Sequence, residues 1–462
     1  MIENTRPPQG TKDYLLETAA EKQELVNRVK SVFERFGYAP IETPAIENII
    51  ILEGGYRGNK TQSIFRIMAR GEELQRRAND VLEPGREGAN YNGLSDLGLR
   101  YDLTVPLSRI LEQYKNIIRF PFKRYQIAPV WRTERPSAGR LREFAMCDAD
   151  TIGSNSLMDD AESIMIVGSV FREISLKPII RINNRKILEG IMEIAGIDEK
   201  NRISSLKALA DKLHNPLINL NTAMLEIGIK QNYVNKAAAI MTELQNGNNI
   251  TKIEKAKKLL SSSSLALEGV MEIEEVLKYL DNRTLSNVMV NILLLRGVDY
   301  YTGTIIDTKI STQPQIKSCF NGGRYTGVVG IFSKDRFNTT GVTLSLERLL
   351  DGLAAEGKVL SSKSSLEYMV AMDNQSLRKE GIRIGNILRE QGFNTQVYPI
   401  TTENLSKQLK HANFYKAKYV VIISEEMVAL GKVKVKDMKT GEQTELAIDE
   451  FSQSLKLLSD LK

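Results

Sequence analysis

Residues 131–144 read WRTERPSAGRLREF, and the reading of this stretch decides the fold. It is entered through FPFKRYQIAPVWRTE (120–134) and left through RLREFAMCDADTIG (140–153). Both flanks carry β-branched and aromatic residues, and the RPSAG between them is turn chemistry, so the stretch predicts a β-hairpin. Alternate strand residues share a face. Arg132 and Glu134 therefore point one way, and Phe144, Met146, Asp148 and Asp150 share a face of the return strand. An arginine binds phosphate through paired hydrogen bonds. A phenylalanine offers a stacking surface to a base, and a carboxylate accepts from the amine of adenine or orients a guanidinium. The competing reading is a surface hairpin with solvated ion pairs.

Outward from the hairpin, AAEKQELVNRVKSVFERF predicts a helix capped by Thr18 and ended by Gly37. YAPIETPAIENIIIL reads as extended because of Pro40 and Pro44. Residues 62–80 read as a further hairpin. GLRYDLTVPLSRILEQY is a short strand before a helix opening near Pro106. A helix is predicted around 157–174, and IIRINNRKIL runs from strand into helix. From 196 to 285 the pattern is helical throughout, which marks an insertion; strands resume with NVMVNILLL and YTGTIIDTKI. The Ser/Lys-rich GKVLSSKSSLE is a linker. Beyond it EYMVAM, TQVYPI and YVVIIS alternate with helices over 375–391 and 403–413, an α/β pattern with a largely parallel sheet.

The 462-residue chain is long enough for two or three domains. With 42% hydrophobic and 26% charged residues it has an ordinary globular composition. No apolar run reaches about 18 residues, so no membrane span is expected, and the N-terminus lacks the apolar stretch of a secretory signal. Cys147 and Cys319, with only His214 and His411 beside them, make neither a disulfide framework nor a zinc site. A reducing cytoplasm is the expected location. The net charge of +6 permits a polyanionic partner without demanding one.

Other segments add chemistry. RYDLTVP (100–106) sets Asp102 and Thr104 on one face of a short strand, which suits an ammonium group; the bland reading is a cap on the following helix. RGVDYYTGT (296–304) puts Arg296, an acid and the pair Tyr300 and Tyr301 in an apolar context, costly unless a polar pocket is faced. NGGRYTG (321–327) leads into Tyr325, and its Gly-Gly alone is weak. GVTLSLERLL (341–350) places Arg348 near a helix start, where anions are favoured.

Together and in this order these segments resemble class II aminoacyl-tRNA synthetases, the histidyl-tRNA synthetases in particular, over nearly the whole chain. FGYAPIETPAIE resembles motif 1, whose proline, here Pro44, lies at a dimer interface. VWRTERPSAGRLREF resembles motif 2 and GVTLSLERLL motif 3. LRGVDYYTG and NGGRYTG resemble the two histidyl signature peptides, and GKVKVKDMKTGEQ the end of the anticodon-binding domain. The resemblance implies an α+β fold: a class II antiparallel sheet core with a helical insertion, plus a C-terminal α/β anticodon-binding domain. It divides the chain into a catalytic core over 1–195 and 286–355, the insertion over 196–285, a linker over 356–365 and the anticodon-binding domain over 366–462.

The resemblance also implies ATP-dependent ligation of histidine to tRNA(His) by a cytoplasmic homodimer, with ATP and magnesium and with neither DNA nor membrane involved. Arg132 would hold the α-phosphate, Arg348 the γ-phosphate, and Glu134 and Phe144 the adenine. Asp102 and Thr104 would take the α-amino group, and Arg296 would bridge the carboxylate and the α-phosphate. Asp150, Tyr300, Tyr301 and Tyr325 would surround the imidazole, with Met146 in the same pocket. Arg135 and Arg140 would be left for the tRNA acceptor end.

Three positions depart from the family pattern. Met146 stands at a usual glutamine that contacts histidine, Ser345 at a usual glycine, and Thr326 at a usual acid. A thioether accepts hydrogen bonds weakly and donates none. The alternatives are a synthetase paralogue with altered amino acid specificity, or a regulatory or sensor protein like the regulatory subunit of ATP phosphoribosyltransferase. The standing arginines and the anticodon-like segment argue against the second. In that segment Lys432, Lys434 and Lys436 alternate; they either track phosphates or protect an edge strand.

Overall fold

The computed structural model describes residues 5–54, 63–81, 91–136, 140–214, 220–298, 300–327, 332, 337–360, 366–400 and 403–448. By internal packing the chain resolves into two units, Met1–Tyr14 with Leu25–Leu360 and Leu15–Glu24 with Ser361–Lys462. The strands of the first unit are β1 (Ala39–Pro40), β2 (Ile46–Asn48), β3 (Arg66–Ile67), β4 (Leu97–Leu99), β5 (Phe122–Trp131), β6 (Glu143–Ile152), β7 (Pro178–Asn184), β8 (Val288–Val290), β9 (Tyr301–Ile310), β10 (Phe320–Thr326) and β11 (Asn338–Ser345). Those of the second are β12 (Tyr368–Met372), β13 (Thr395–Val397), β14 (Tyr419–Ile423), β15 (Lys432–Asp437) and β16 (Gln443–Ala447).

The opening hairpin is β5–β6, antiparallel from Phe122 opposite Ile152 to Trp131 opposite Glu143. It sits inside an eight-stranded sheet of order β1-β5-β6-β11-β10-β9-β7-β8. Every pair from β5 to β7 is antiparallel, with parallel β1 and β8 at the ends. Strand alternation gives this sheet two unlike faces. The row Tyr125, Ala149, Val342, Gly322, Ile306 and Ile182 is apolar apart from its glycine. It joins the main core with Ile164, Val167 and Phe171 of helix Leu157–Glu173 and Leu349 and Leu353 of helix Leu346–Ala355. Full burial of one such aliphatic or aromatic side chain contributes roughly 1.5–3 kcal/mol, so this face holds the sheet in place. The opposite face is polar.

Residues 199–285 add the helices Glu199–His214, Leu220–Glu226, Gln231–Gln245, Asn249–Leu259, Ser264–Tyr279 and Asn282–Leu285. Three of them start on side-chain caps: Asn248 accepts from Thr251 N, Ser263 from Ala266 N and Asp281 from Thr284 N. In the second unit, β13, β12 and β14 are parallel and β15 and β16 antiparallel. YMVAM is buried at every position, as a central parallel strand must be.

Three local expectations change. Within 62–80 a short β3 pairs with β4, and Gly71–Val81 is a helix, not the second arm of a hairpin. Glu73 pairs with Arg76 and Arg77 three and four residues on, which stabilises helix and is invisible to a strand-alternation reading. The end of IENIIIL is likewise helical, Ile49–Gly54, because Pro44 restricts only what lies beside it, and Ile49 and Leu52 share a buried helical face. Finally, β15 is not an edge: β16 pairs along it, and Lys432 faces Glu445 at 3.6 Å. Half of the expected linker, 361–365, lies outside the described residues.

Candidate active site

The polar face of the large sheet carries two rows. One runs Gln126, Asp148, Thr343, Asn321, Asp307 and Arg181; the next runs Arg124, Asp150, Gly341, Gly323, Ile305 and Asn183. The hairpin supplies one end of both rows, and Asp307 with Arg181 charges the other end of the first. The glycines empty the middle of the second row. A Cβ on Gly341 would stand 1.9 Å from Asp150 Oδ1, so the Asp150 carboxylate lies flat over the place where a side chain would be.

Over this floor three tyrosines meet. Tyr300 and Tyr301 have ring centroids 4.3 Å apart, and Tyr325 sits edge-on 6.5 Å from each. Gly297 makes this possible: its φ is +54°, and a Cβ there would meet the Tyr300 ring at 2.5 Å. Tyr325 donates its hydroxyl to Asp150 Oδ1 at 2.7 Å. Burial raises the pKa of all three phenols, so they remain protonated donors. A cage of phenols over a buried carboxylate suits a planar ring bearing an N–H. Asp299 lies outside the described residues.

Next to the cage is a cationic end. Arg132 donates Nε to Tyr101 O at 3.0 Å and lies over the Phe144 ring, 5.1 Å from its centroid. Arg348, in the first turn of its helix, donates to Ser318 O. Burial lowers the Arg348 pKa, and the nearby Arg296, Arg132 and Arg140 add to the effect. Among the described residues neither Arg132 nor Arg348 bonds a carboxylate. Guanidinium groups held close enough to repel have the charge and the paired donors that an anion would take.

Arg296 is different. Its Nη1 donates to Oδ1 of Asp307, which also takes Ser318 Oγ, while Arg181 Nε donates to Oδ2 at 2.9 Å. These donors and cations hold the Asp307 carboxyl below its usual range in spite of burial. Asp307, Arg181 and Arg124 are residues that sequence reading missed, and Asp148 was placed on the face of Phe144 and Asp150 but given no role. For Arg124 and Asp148 the signal was there, in polar residues at every second position of KRYQ and CDAD, but alternation of that kind normally marks a solvated face.

The remaining expected residues fall as follows. Asp102 is not on a strand; it lies three residues past β4, and its Oδ1 accepts from Val105 N at 3.0 Å, capping the helix that begins at Thr104. The bland reading of Asp102 thus holds for one oxygen, while its charge still reaches Asp148 and Asp150. Glu134 lies beyond the end of β5 and ion-pairs with Arg140, so the two acceptor- and adenine-facing candidates hold each other. Arg135 is exposed, and the hairpin tip, 137–139, lies outside the described residues. Met146 packs with Leu103 and Val130, its sulfur 3.8 Å from Arg132 Nη2. Thr326 donates to Asn338 Oδ1 at 2.7 Å and meets Thr302 at 3.3 Å, so it braces strand ends. Ser345 lies opposite Met146. Arg324 points to the other face and clamps Asp160 and the Ser154 and Ser156 carbonyls.

Against known proteins, the family described as "Histidyl-tRNA synthetase" matches residues 92–349, and "Anticodon binding domain" matches 367–458. Histidine–tRNA ligase of Phocaeicola vulgatus is 35% identical over 449 residues, 96% of this chain and 97% of its own. That of Christiangramia forsetii is 33% identical over 463 residues, covering 99% and 100%. The crystal structure of histidyl-tRNA synthetase from Nostoc sp. PCC 7120 has a TM-score of 0.81 at 26% identity, covering 98% of this chain and 99% of that one.

Proposed function

The chain belongs to the histidyl-tRNA synthetase family, and from that premise we propose how its own residues join histidine to tRNA(His). The reaction is an ATP-dependent ligation in two steps. A carboxylate oxygen of histidine attacks the α-phosphorus of ATP, the bond to the β-phosphate breaks, and pyrophosphate leaves. A 3′-terminal ribose hydroxyl of the tRNA then attacks the carbonyl carbon of the adenylate, loses its proton, and AMP departs.

One observation carries the assignment of roles: a cluster of arginines, Arg132 and Arg348, that bond no carboxylate among the described residues adjoins a carboxylate under a cage of phenols. In this reading Arg132 takes the α-phosphate, Arg348 the γ-phosphate, and Phe144 with Glu134 the adenine. Arg296 spans the histidine carboxylate and the α-phosphate. Its fixed charge is aimed at negative charge that grows in the transition state, which lowers the barrier without reorganisation. Asp102 and Thr104 meet the α-amino group, and Asp150, Tyr300, Tyr301, Tyr325 and Met146 surround the imidazole. Arg140, once parted from Glu134, and Arg135 meet acceptor-end phosphates.

Magnesium would neutralise the triphosphate. Among the described residues no group of three or more His, Cys, Asp or Glu could hold a metal ion.

The proposed domains are a catalytic core over 1–195 and 286–355, a helical insertion over 196–285 against the acceptor arm, a linker over 356–365, and an anticodon-binding domain over 366–462. A homodimer through FGYAPIETPAIE would cover Ile46, 49% exposed. No helix among the described residues is long and apolar enough to cross a membrane, and both buried cysteines are free, which fits a cytoplasmic site of action. A shifted amino acid preference is the second reading, and the apolar setting of Met146 is the observation behind it.

Charging tests the proposal. The chain with ATP, magnesium, labelled histidine and a tRNA(His) transcript should yield acid-precipitable histidine. Absence of charging with tRNA present, in a chain that still binds ATP, would overturn it.

A further inference from the structure

Beneath the phenol cage lies a charged group that the ligation, as described, leaves without a role. Arg124 is 0% exposed and heads the fully buried side chains by volume. It stands opposite Asp150 in the β5–β6 register, ion-pairs with Asp150 Oδ2, and has Asp148 Oδ2 4.0 Å away. Beyond these ion pairs none of its three nitrogens meets a hydrogen-bond acceptor among the described residues. One cation therefore sits between two carboxylates in a water-poor sheet interior.

A buried charge persists only against an opposite one, and two neighbouring buried carboxylates cannot both stay ionised alone. Without Arg124, Asp150 would take up a proton and become a poor acceptor. With it, Asp150 is held from two sides: Oδ2 by Arg124 and Oδ1 by the Tyr325 hydroxyl, above a glycine that leaves it no other support. Asp148 shares the same guanidinium and so weakens its hold on Asp150.

We infer that Arg124 and Asp148 are positioning residues for amino acid selection: Arg124 keeps Asp150 an ionised, oriented acceptor for a ring N–H, and Asp148 tempers that charge. The inference rests on Asp150 being the imidazole acceptor. Selection follows from the same chemistry. An amino acid without a donor at that place would leave an acceptor position of an ionised buried carboxylate unfilled, which a site of this kind rejects. The groups that face Asp150 are Arg124 from β5, Asp148 on its own strand, Tyr325 from β10 and Tyr301 from β9. Asp102 faces it from the helix start at Thr104, and Tyr38 from beyond the end of helix Leu16–Arg35. Burial pushes both Asp148 and Asp150 up, and Arg124 opposes the push on each.

The test is histidine-dependent ATP–pyrophosphate exchange by the full chain from about pH 6 to about pH 8.5, with KM for histidine and for ATP measured separately. Arg124→Met should raise KM for histidine about tenfold or more, leave KM for ATP within about twofold, and move the acid limb of kcat/KM for histidine to higher pH. Arg124→Lys, which keeps the charge and loses the fork, should recover part of both effects. Asp148→Asn frees the guanidinium for Asp150 and should move the acid limb to lower pH.

A folded Arg124→Met with unchanged KM for histidine and unchanged pH profile overturns the inference. So does a parallel loss toward histidine and ATP that Arg124→Lys does not relieve, because that is a structural role. If Arg124→Met does not fold, Asp148→Asn decides: a downward shift supports the inference, and an unshifted limb overturns it. A wild-type chain that exchanges with no amino acid overturns the ligase reading itself, whereas wild-type exchange with unshifted variants overturns only this inference.

Discussion

Replacement of Gly341 by alanine probes the pocket floor with one methyl group. Gly341 pairs with Asp150 across β6 and β11. The obstacle to alanine is space: the new Cβ would lie 1.9 Å from Asp150 Oδ1 and 2.7 Å from the Ala149 carbonyl oxygen. Non-bonded atoms settle at about 3.5 Å, so the carboxylate must retreat by about 1.6 Å. The Tyr325 hydroxyl bond to that oxygen is 2.7 Å long, and a retreat of that size carries it past the range of a hydrogen bond. A hydrogen bond to a charged group contributes roughly 1.5–3 kcal/mol. At 1.4 kcal/mol per decade, KM for histidine should rise about 10- to 100-fold. KM for ATP should hold within about twofold, because the arginine end is untouched. The Ala149 contact adds an overpacking cost of about 1–3 kcal/mol, so the melting temperature should fall by several degrees. Pyrophosphate exchange at saturating ATP and varied histidine reads the first effect, and a thermal melt reads the second. A folded Gly341→Ala enzyme with wild-type KM for histidine would refute the placement of the imidazole over Asp150.

Asp307→Asn keeps the shape but removes the charge that Arg296 and Arg181 share, so kcat of exchange should fall about 100-fold with a smaller change in KM for ATP; wild-type kcat would detach Arg296 from the chemistry. Met146→Gln restores a polar contact of about 1 kcal/mol, so KM for histidine should drop about fivefold, and an unchanged or higher KM would retire the idea of a lost contact. The Asp148 carboxyl is raised to about 7 by burial, against the pull of Arg124 and with a push from Asp150. A raised carboxyl lends stability below its unfolded pKa, and that stability fades as pH rises through the folded value. The melting temperature of Asp148→Asn relative to wild type should therefore climb between about pH 4 and about pH 7; a flat difference across that window would contradict the shift.

The hairpin was legible because its flanks alternate and its turn is made of proline, serine and glycine. The arginines of the cationic end were legible because each sits in a motif with its own signature. The floor of the site was not. In KRYQIAPVW the polar residues Arg124 and Gln126 follow the rule for a strand with one wet face, yet both are buried. Arg124 is met by Asp150 of β6 and Gln126 by Thr43, 83 residues back along the chain, and no local pattern reports either. Asp307 was hidden in the same way, since YTGTIIDTKI reads as a core strand with one acid, and only the sheet brings Arg181 and Arg296 to it. The helix over Gly71–Val81 was missed for the opposite reason. Its support is local ion pairing at helical spacing, which a hydrophobic-period reading does not weigh.

The most direct test of the whole account is amino acid-dependent ATP–pyrophosphate exchange, run with histidine and the other nineteen amino acids in parallel. Exchange with histidine alone is the predicted result and would make Met146 a local variation within the pocket. Exchange with a different amino acid, or with none while ATP still binds, would contradict it.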